Sequence, residues 1–232
     1  MPSFSKALNS QVGRKFMTGL TGVALMLFLI VHLAGNLTLF ASDGAFNAYT
    51  HKLESLGPLL YVAEAILAFL FLYHAVLGIN IWLHKRRARG SRYEVYKTKG
   101  GPSHQSLASK SMVFTGIVIL VFLVAHIIHF KFGAYYETTL DGETVRDLKR
   151  LVLESFSRPL DTFLYVGVLL LVILHLSHGF WSAFTSLGMK SGNTSKKMQM
   201  IAYGFAIVLM GAFMFIPLYI FFAGPDASLI AN

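Results

Sequence analysis

The residues most able to do chemistry are histidines in apolar runs. His32, His74, His126 and His175 stand in the stretches IVHLAG, LYHAVLG, VAHIIHF and ILHLSHGF. A neutral imidazole offers one nitrogen lone pair to a metal and one N–H to a hydrogen-bond acceptor. A lone membrane histidine is as readily a packing group as a ligand, although ionisable residues at membrane depth default to function. The chain has no cysteine. Disulfides, thiolate metal sites, iron–sulfur ligation and covalent C-x-x-C-H haem attachment are therefore excluded. Any redox centre held by this chain must draw its ligands from histidine, methionine or tyrosine.

The elements that must position these histidines follow from composition. The chain has 232 residues, 55% of them hydrophobic and 13% charged, with a mean hydropathy of +0.59. A soluble domain carries about twice that charged fraction. Five segments, 16–40, 59–83, 111–130, 160–184 and 200–222, reach the roughly 20 apolar residues that a bilayer requires. They do not alternate as barrel strands do, so helices are expected. The first segment follows Lys6, Arg14 and Lys15, but it is long for a signal peptide and carries His32; it is read as a retained span. The expected fold is thus all-α, one membrane domain over residues 1–232, a bundle of five transmembrane helices.

Basic residues set the expected orientation. With the N-terminus in the cytoplasm, fourteen of the 20 Lys and Arg residues fall on inner segments, including Lys85, Arg86, Arg87, Arg89, Arg92, Lys97, Lys99 and Lys110 around the second connection. The outer side keeps Lys52, Lys131, Arg146, Lys149, Arg150 and Arg158, together with most of the acids. The sequence pI near 9.8 reads as topology and anionic lipid contact, and no nucleic-acid motif is present.

Depth then pairs the histidines. At 1.5 Å per residue, His32 lies about 12 Å and His126 about 8 Å below the outer ends of the first and third spans. His74 and His175 lie about 22 Å below the outer ends of the second and fourth. This makes an outer pair, His32 with His126, and an inner pair, His74 with His175. Two imidazoles from facing helices at one depth are what a six-coordinate b-type haem needs. Gly78 and Gly179, each four residues after an inner histidine, share its helix face and are expected to leave room for a flat ring; Gly35 is expected to do the same for His32. His178 lies about 4.5 Å deeper than His175 and His129 about a turn outside His126, so neither is taken as a ligand.

At these residues the sequence resembles a known family, the diheme cytochrome b membrane anchor of succinate dehydrogenases and fumarate reductases in its five-helix, single-subunit form. The likeness runs through RKFMTGLTG and HLAGNLTLF in the first span, AFNAYTHKLESLGP in the first outer loop, YHAVLGI in the second span, SMVFTGIVILVFLVAH in the third and ILHLSHGFWSAF in the fourth. The resemblance implies two non-covalent b haems, an inner one on His74 and His175 and an outer one on His32 and His126. It implies a quinone site, expected to take menaquinone, beside the outer haem. It implies docking of an iron–sulfur subunit, and with it an FAD-bearing flavoprotein, on the cytoplasmic face of a bacterial inner membrane. Dicarboxylate chemistry would belong to that flavoprotein, because no flavin or nucleotide fingerprint occurs in this chain. The same parts would serve succinate oxidation or fumarate reduction, and the complex could form a higher oligomer.

In the first outer loop, Ala45, Phe46, Tyr49, Leu53 and Leu56 have helical spacing, predicting a short interfacial helix over 45–56. His51 and Glu54 fall together on another face. The resemblance places an acid at the position of Glu54 at the quinone site, where a carboxylate and the nearby imidazole could relay protons. Some fumarate-reducing members carry a glutamate two residues before the fourth-span ligand; here that residue is Ile173. Asp161 is accounted for by its place in a first helical turn, while Glu64 has no such account and is a candidate for the quinone route. Two other readings remain at this point: a diheme cytochrome b of another quinone-linked complex (hydrogenase, formate or nitrate type), and a non-redox transporter that uses histidines for protons or metal.

Overall fold

The computed structural model describes residue 6 and residues 10–87, 107–189 and 195–224. Among the described residues the order of elements is α1 (Gln11–Leu37), a 3-10 turn (Thr38–Phe40), α2 (Ala45–Glu54), α3 (Pro58–Arg87), α4 (Leu107–Phe130), β1 (Glu137–Leu140), β2 (Glu143–Arg146), α5 (Leu148–Phe156), α6 (Pro159–Ser186) and α7 (Ser195–Ala223). Helices α1, α3, α4, α6 and α7 are long and apolar enough to cross a bilayer, and they are the five expected spans. All five are longer than their apolar runs, because the polar ends also satisfy helical hydrogen bonds. The Ser10 hydroxyl accepts from Gly13 N at 3.0 Å and so starts α1 before Phe16. Pro159 opens α6 in the position where its missing N–H costs nothing. Helix α7 runs through Pro217 to Ala223. The basic residues Arg89, Arg92, Lys97, Lys99 and Lys190, and the inner loop expected to meet an iron–sulfur partner, lie outside the described residues.

Packing is unequal. Helix α1 packs on α3 and α6, α4 packs on α6, and α6 packs most extensively on α7, while α3 touches α4, and α1 touches α7, only slightly. Going round, α1, α3, α4 and α6 form a four-helix ring, with α7 outside it against α6. The α6–α7 seam is tight because it is lined by small residues: Ala183, Ala202 and Ala206 are all buried. Two apolar clusters fill this side of the molecule. One joins Leu39, Phe46, Val152, Phe156, Tyr165, Ile216 and Ile220, and the other Met26, Leu176, Ala183, Ala206, Leu209 and Met210. In contrast, α3 buries only Leu77, and its other face exposes Val62, Ile66, Phe69 and Leu72, as expected of a surface solvated by lipid.

The connection between α4 and α6 departs from expectation. The sequence reading left it as loop, but it folds into a hairpin and the helix α5. Asp141 (φ 52) and Gly142 (φ 86) form the two-residue turn, both in the left-handed region, and pair Glu137 with Arg146 and Leu140 with Glu143. Helix α5 is capped by Asp147, whose side chain accepts from Arg150 N. It buries Leu151, Val152, Ser155 and Phe156. Helix α2 faces it. Its Phe46 enters the outer apolar cluster, so its apolar face covers protein and not lipid alone. It ends at Glu54, two residues before the expected boundary.

Asn47 joins these two outer helices. It is buried, its amide donates to Asp147 Oδ1 at 2.8 Å, and its carbonyl accepts from Lys149 N at 2.9 Å. Asn47→Ala removes both bonds and leaves a backbone N–H without its acceptor, which costs about 1–3 kcal/mol. Backbone amide exchange in 45–54 and 148–156 should accelerate while exchange in α6 and α7 stays slow. Unchanged exchange in the two outer helices would show that Asn47 does not hold them together.

Candidate functional site

The four-helix ring carries one histidine on each helix, and the structure brings them together across the two diagonals. His32 of α1 meets His126 of α4 with ring centroids 5.9 Å apart. His74 of α3 meets His175 of α6 with centroids 6.4 Å apart. These are the partners that depth alone predicted. A metal bound by one nitrogen of each ring at about 2 Å holds the two centroids about 6 Å apart, so either pair has the spacing of a two-imidazole clamp. All four rings are half-buried, within a ring of helices whose diagonal partners do not pack backbone to backbone.

The inner pair is supported by a repeated arrangement. His74 Nδ1 lies 3.1 Å from Thr21 Oγ1 of α1, and His175 Nδ1 lies 3.1 Å from Thr115 Oγ1 of α4. Each threonine is buried and also bonds back into its own helix: Thr21 to Met17 O and Thr18 O, Thr115 to Ser111 O and Met112 O. The next residue in each case is glycine. A Cβ on Gly22 would lie 3.3 Å from His74 Cε1, and one on Gly116 would lie 3.3 Å from His175 Cε1. Glycine therefore lets each imidazole settle against the neighbouring helix. The sequence reading singled out neither threonine and neither of these glycines. The signal was present as T-G-x9-H, read once from Thr21 to His32 and again from Thr115 to His126.

The outer pair has different surroundings. His126 Nδ1 is 3.3 Å from the Tyr165 hydroxyl of α6. His32 stacks on Phe28 and leans on Phe213, and the Asn36 amide, which donates to His32 O at 2.8 Å, reaches only 3.5 Å from His32 Nε2. His129 stacks on Phe130, and its Nε2 is 3.0 Å from the fully buried Ser155 hydroxyl of α5. His178 lies beside Trp181.

The structure corrects the reading of Gly35. An added Cβ there would fall 2.6 Å from Tyr49 Cε1, so this glycine admits Tyr49 of α2 and leaves no room for a flat ring. At Gly78 and Gly179 an added Cβ would meet nothing within 4 Å, so space does exist in front of both. His51, expected to share a face with Glu54, has its Nε2 3.5 Å from Glu143 Oε2 of the hairpin. Glu54 is exposed at the end of α2. Glu64, left without an account by sequence, pairs with Lys131 at the end of α4 and ties the outer ends of α3 and α4. Asp161 pairs with Arg158 at 2.8 Å. Lys149 Nζ, 2.7 Å from Asp43 Oδ1, holds the Asp43 carboxyl below the usual carboxylate range by hydrogen bond and charge.

Fold and site together define a multi-pass helical membrane protein with two histidine pairs between its spans. Comparison with protein-family models, curated proteins and solved structures finds no match.

The glycine contacts can be checked by a matched pair. Gly35→Ala forces a methyl into Tyr49 and should destabilise the protein by about 1–3 kcal/mol. Gly167→Ala, on the exposed side of α6 with nothing within 4 Å, should be neutral or stabilising by up to about 1 kcal/mol. Thermal unfolding of both variants in detergent decides the matter; equal midpoints would mean that α2 does not seat on α1 through Tyr49.

Proposed function

We propose that this chain is the diheme cytochrome b anchor of a succinate dehydrogenase or fumarate reductase, carrying electrons between an iron–sulfur partner and a quinone. The observation that carries the reading is the pair of two-imidazole clamps on the two diagonals of one ring, with centroids 5.9 and 6.4 Å apart. His74 and His175 would hold the inner b haem, and His32 and His126 the outer one, through nitrogen lone pairs and without covalent attachment. When bound, the haems supply a one-electron relay across the span. The protein's part is to fix four imidazoles, to leave room between them, and to exclude water from the space they face.

Orientation with the N-terminus in the cytoplasm follows the basic residues. Arg14, Lys15, Lys85, Arg86, Arg87, Lys110, Lys196 and Lys197 sit at one end of the bundle, opposite the hairpin, α2 and α5. Bacterial inner-membrane placement, and docking of the iron–sulfur and flavoprotein subunits at the basic end, belong to the same proposal. Reducing a quinone consumes two protons as well as two electrons. Glu54, exposed at the outer end, is the carboxylate proposed to pass them. His51, tied to Glu143, would serve there only after releasing that partner.

Extraction of the purified chain with acidified solvent should release two haems per polypeptide. His74→Ala should remove the inner haem and stop succinate from reducing the outer one through the partner subunits. His32→Ala should remove the outer haem and leave the inner one reducible. A chain without a Soret band, or with normal reduction of the outer haem in His74→Ala, would end this reading or its orientation.

Glu54→Gln keeps size and polarity but removes the proton-accepting carboxylate. Haem spectra should be unchanged, and so should partner activity with a soluble electron acceptor. Quinone-linked turnover should fall by roughly 10²-fold, the range for loss of a general acid–base group. Equal rates relative to wild type in both assays would show that Glu54 is only a solvated carboxylate.

A further inference from the structure

The two Thr-Gly steps are alike in sequence, in position and in geometry. Each lies on the first helix of a helix pair, α1 with α3 and α4 with α6. Each meets an imidazole of the second helix, with Thr Oγ1 at 3.1 Å from Nδ1 and the glycine against Cε1. In each case an outer-layer histidine follows the threonine by 11 residues on the same helix, which is three turns to within about 20°. A single threonine bonding back into its own helix is ordinary in an apolar span. Two that meet opposite members of one imidazole pair, with glycine next in both, are not explained by back-bonding.

Proton accounting assigns the roles. A threonine hydroxyl has one proton and two lone pairs. Thr115 Oγ1 lies 3.1 Å from Ser111 O and 3.1 Å from Met112 O, both of which can only accept. If the hydroxyl proton goes to a backbone carbonyl, the oxygen is free to accept from His175 Nδ1–H. Thr21 has the same choice: with its proton on Met17 O at 2.8 Å or Thr18 O at 3.1 Å, its oxygen would accept from His74 Nδ1–H. This arrangement gives the hydroxyl proton and the Nδ1 proton each an acceptor, and it leaves the Nε2 lone pair of each ring free. The reverse assignment would have the hydroxyl cap Nδ1 and would put the N–H on the nitrogen that a ligand needs.

We infer that Thr21 and Thr115 are positioning residues for the inner metal-binding pair. Each accepts the Nδ1 proton of one imidazole, fixes the tautomer that presents Nε2, and makes that nitrogen more electron-donating. The inference rests on the proposed haem ligation. Its chemistry is that of outer-shell partners generally, which orient a ligating histidine and raise its basicity. The outer pair is not built this way, since its one comparable contact is the Tyr165 hydroxyl on His126 Nδ1 at 3.3 Å.

The test is a redox titration of the intact complex followed by visible absorption, with the inner signal defined as the one lost in His74→Ala. Thr115→Val keeps the side-chain shape and removes the hydroxyl acceptor. Both haems should remain, the midpoint of the inner signal should move upward because its oxidised state loses an electron-rich ligand, and the outer signal should stay. Inner-haem affinity should fall about 10- to 100-fold. Thr115→Ser restores an acceptor and should restore the wild-type midpoint. Thr21→Val and Thr21→Ser should repeat the pattern from the opposite side of the ring. A wild-type midpoint in both Val variants overturns the inference while leaving the haem reading intact. So does an equal shift in the Ser and Val variants, or loss of all haem in both Val variants with unshifted Ser variants. Absence of haem from the wild-type chain overturns both.

Discussion

The structure turns on the cost of placing imidazoles between apolar helices. A polar group without a partner at that depth loses its hydration and gains nothing, at a cost of about 2–7 kcal/mol by apolar-transfer measures. Four histidines therefore demand four local solutions, and the helix ring supplies them. Two take threonine hydroxyls, one takes a tyrosine hydroxyl, and His32 takes aromatic faces and a distant amide. Because the partner always comes from another helix or from a turn nearby, satisfying the imidazoles also fixes which helices are neighbours.

That requirement explains the uneven packing. On the side where α1, α6 and α7 meet, close approach is the only task, and small residues and apolar clusters accomplish it. Across the diagonals the helices must stay apart so that ring can face ring. Little apolar contact is then left to join α3 to α4, and the Glu64–Lys131 pair, reinforced by the Tyr61 ring under Lys131, joins their outer ends. An ion pair at a partly exposed site contributes modestly to stability. Its value here is to set the distance between two helices that bury little against each other.

What the sequence revealed and what it concealed divide along the same physical line. Five spans were legible because hydrocarbon demands long apolar runs, and the pairing of His32 with His126 and His74 with His175 followed from helical rise alone. Contacts between helices were not legible, because rise gives depth but not rotation. Gly35 was read as space beside His32, yet it faces Tyr49. Gly22 and Gly116 went unread, yet they lie against the inner imidazoles. The outer cap was missed for another reason: the Asp141–Gly142 turn was a plain hairpin signal in a segment read only as the gap between spans. Helix α5, at nine residues, is too short for hydropathy to separate from loop. Depth arguments also could not show that His51 would find Glu143, a partner 92 positions away in sequence and brought there by the hairpin.

The 11-residue step from Thr21 to His32 and from Thr115 to His126 ties the two layers into one design. A step of three nearly complete turns returns to the same helix face, about 16 Å further along the axis. One face of α1 thus receives an imidazole from α3 in the inner layer and offers its own in the outer layer, and α4 does the same with α6. Neither layer could be rotated to improve its contacts without turning the other out of register. A straight helix nearly satisfies an 11-residue period, whereas a seven-residue period would wind the helices around each other and carry the second histidine off the diagonal. The spacing between layers is therefore set by helix geometry, and an insertion or deletion of one residue in either step would turn its outer histidine by about 100° away from its partner.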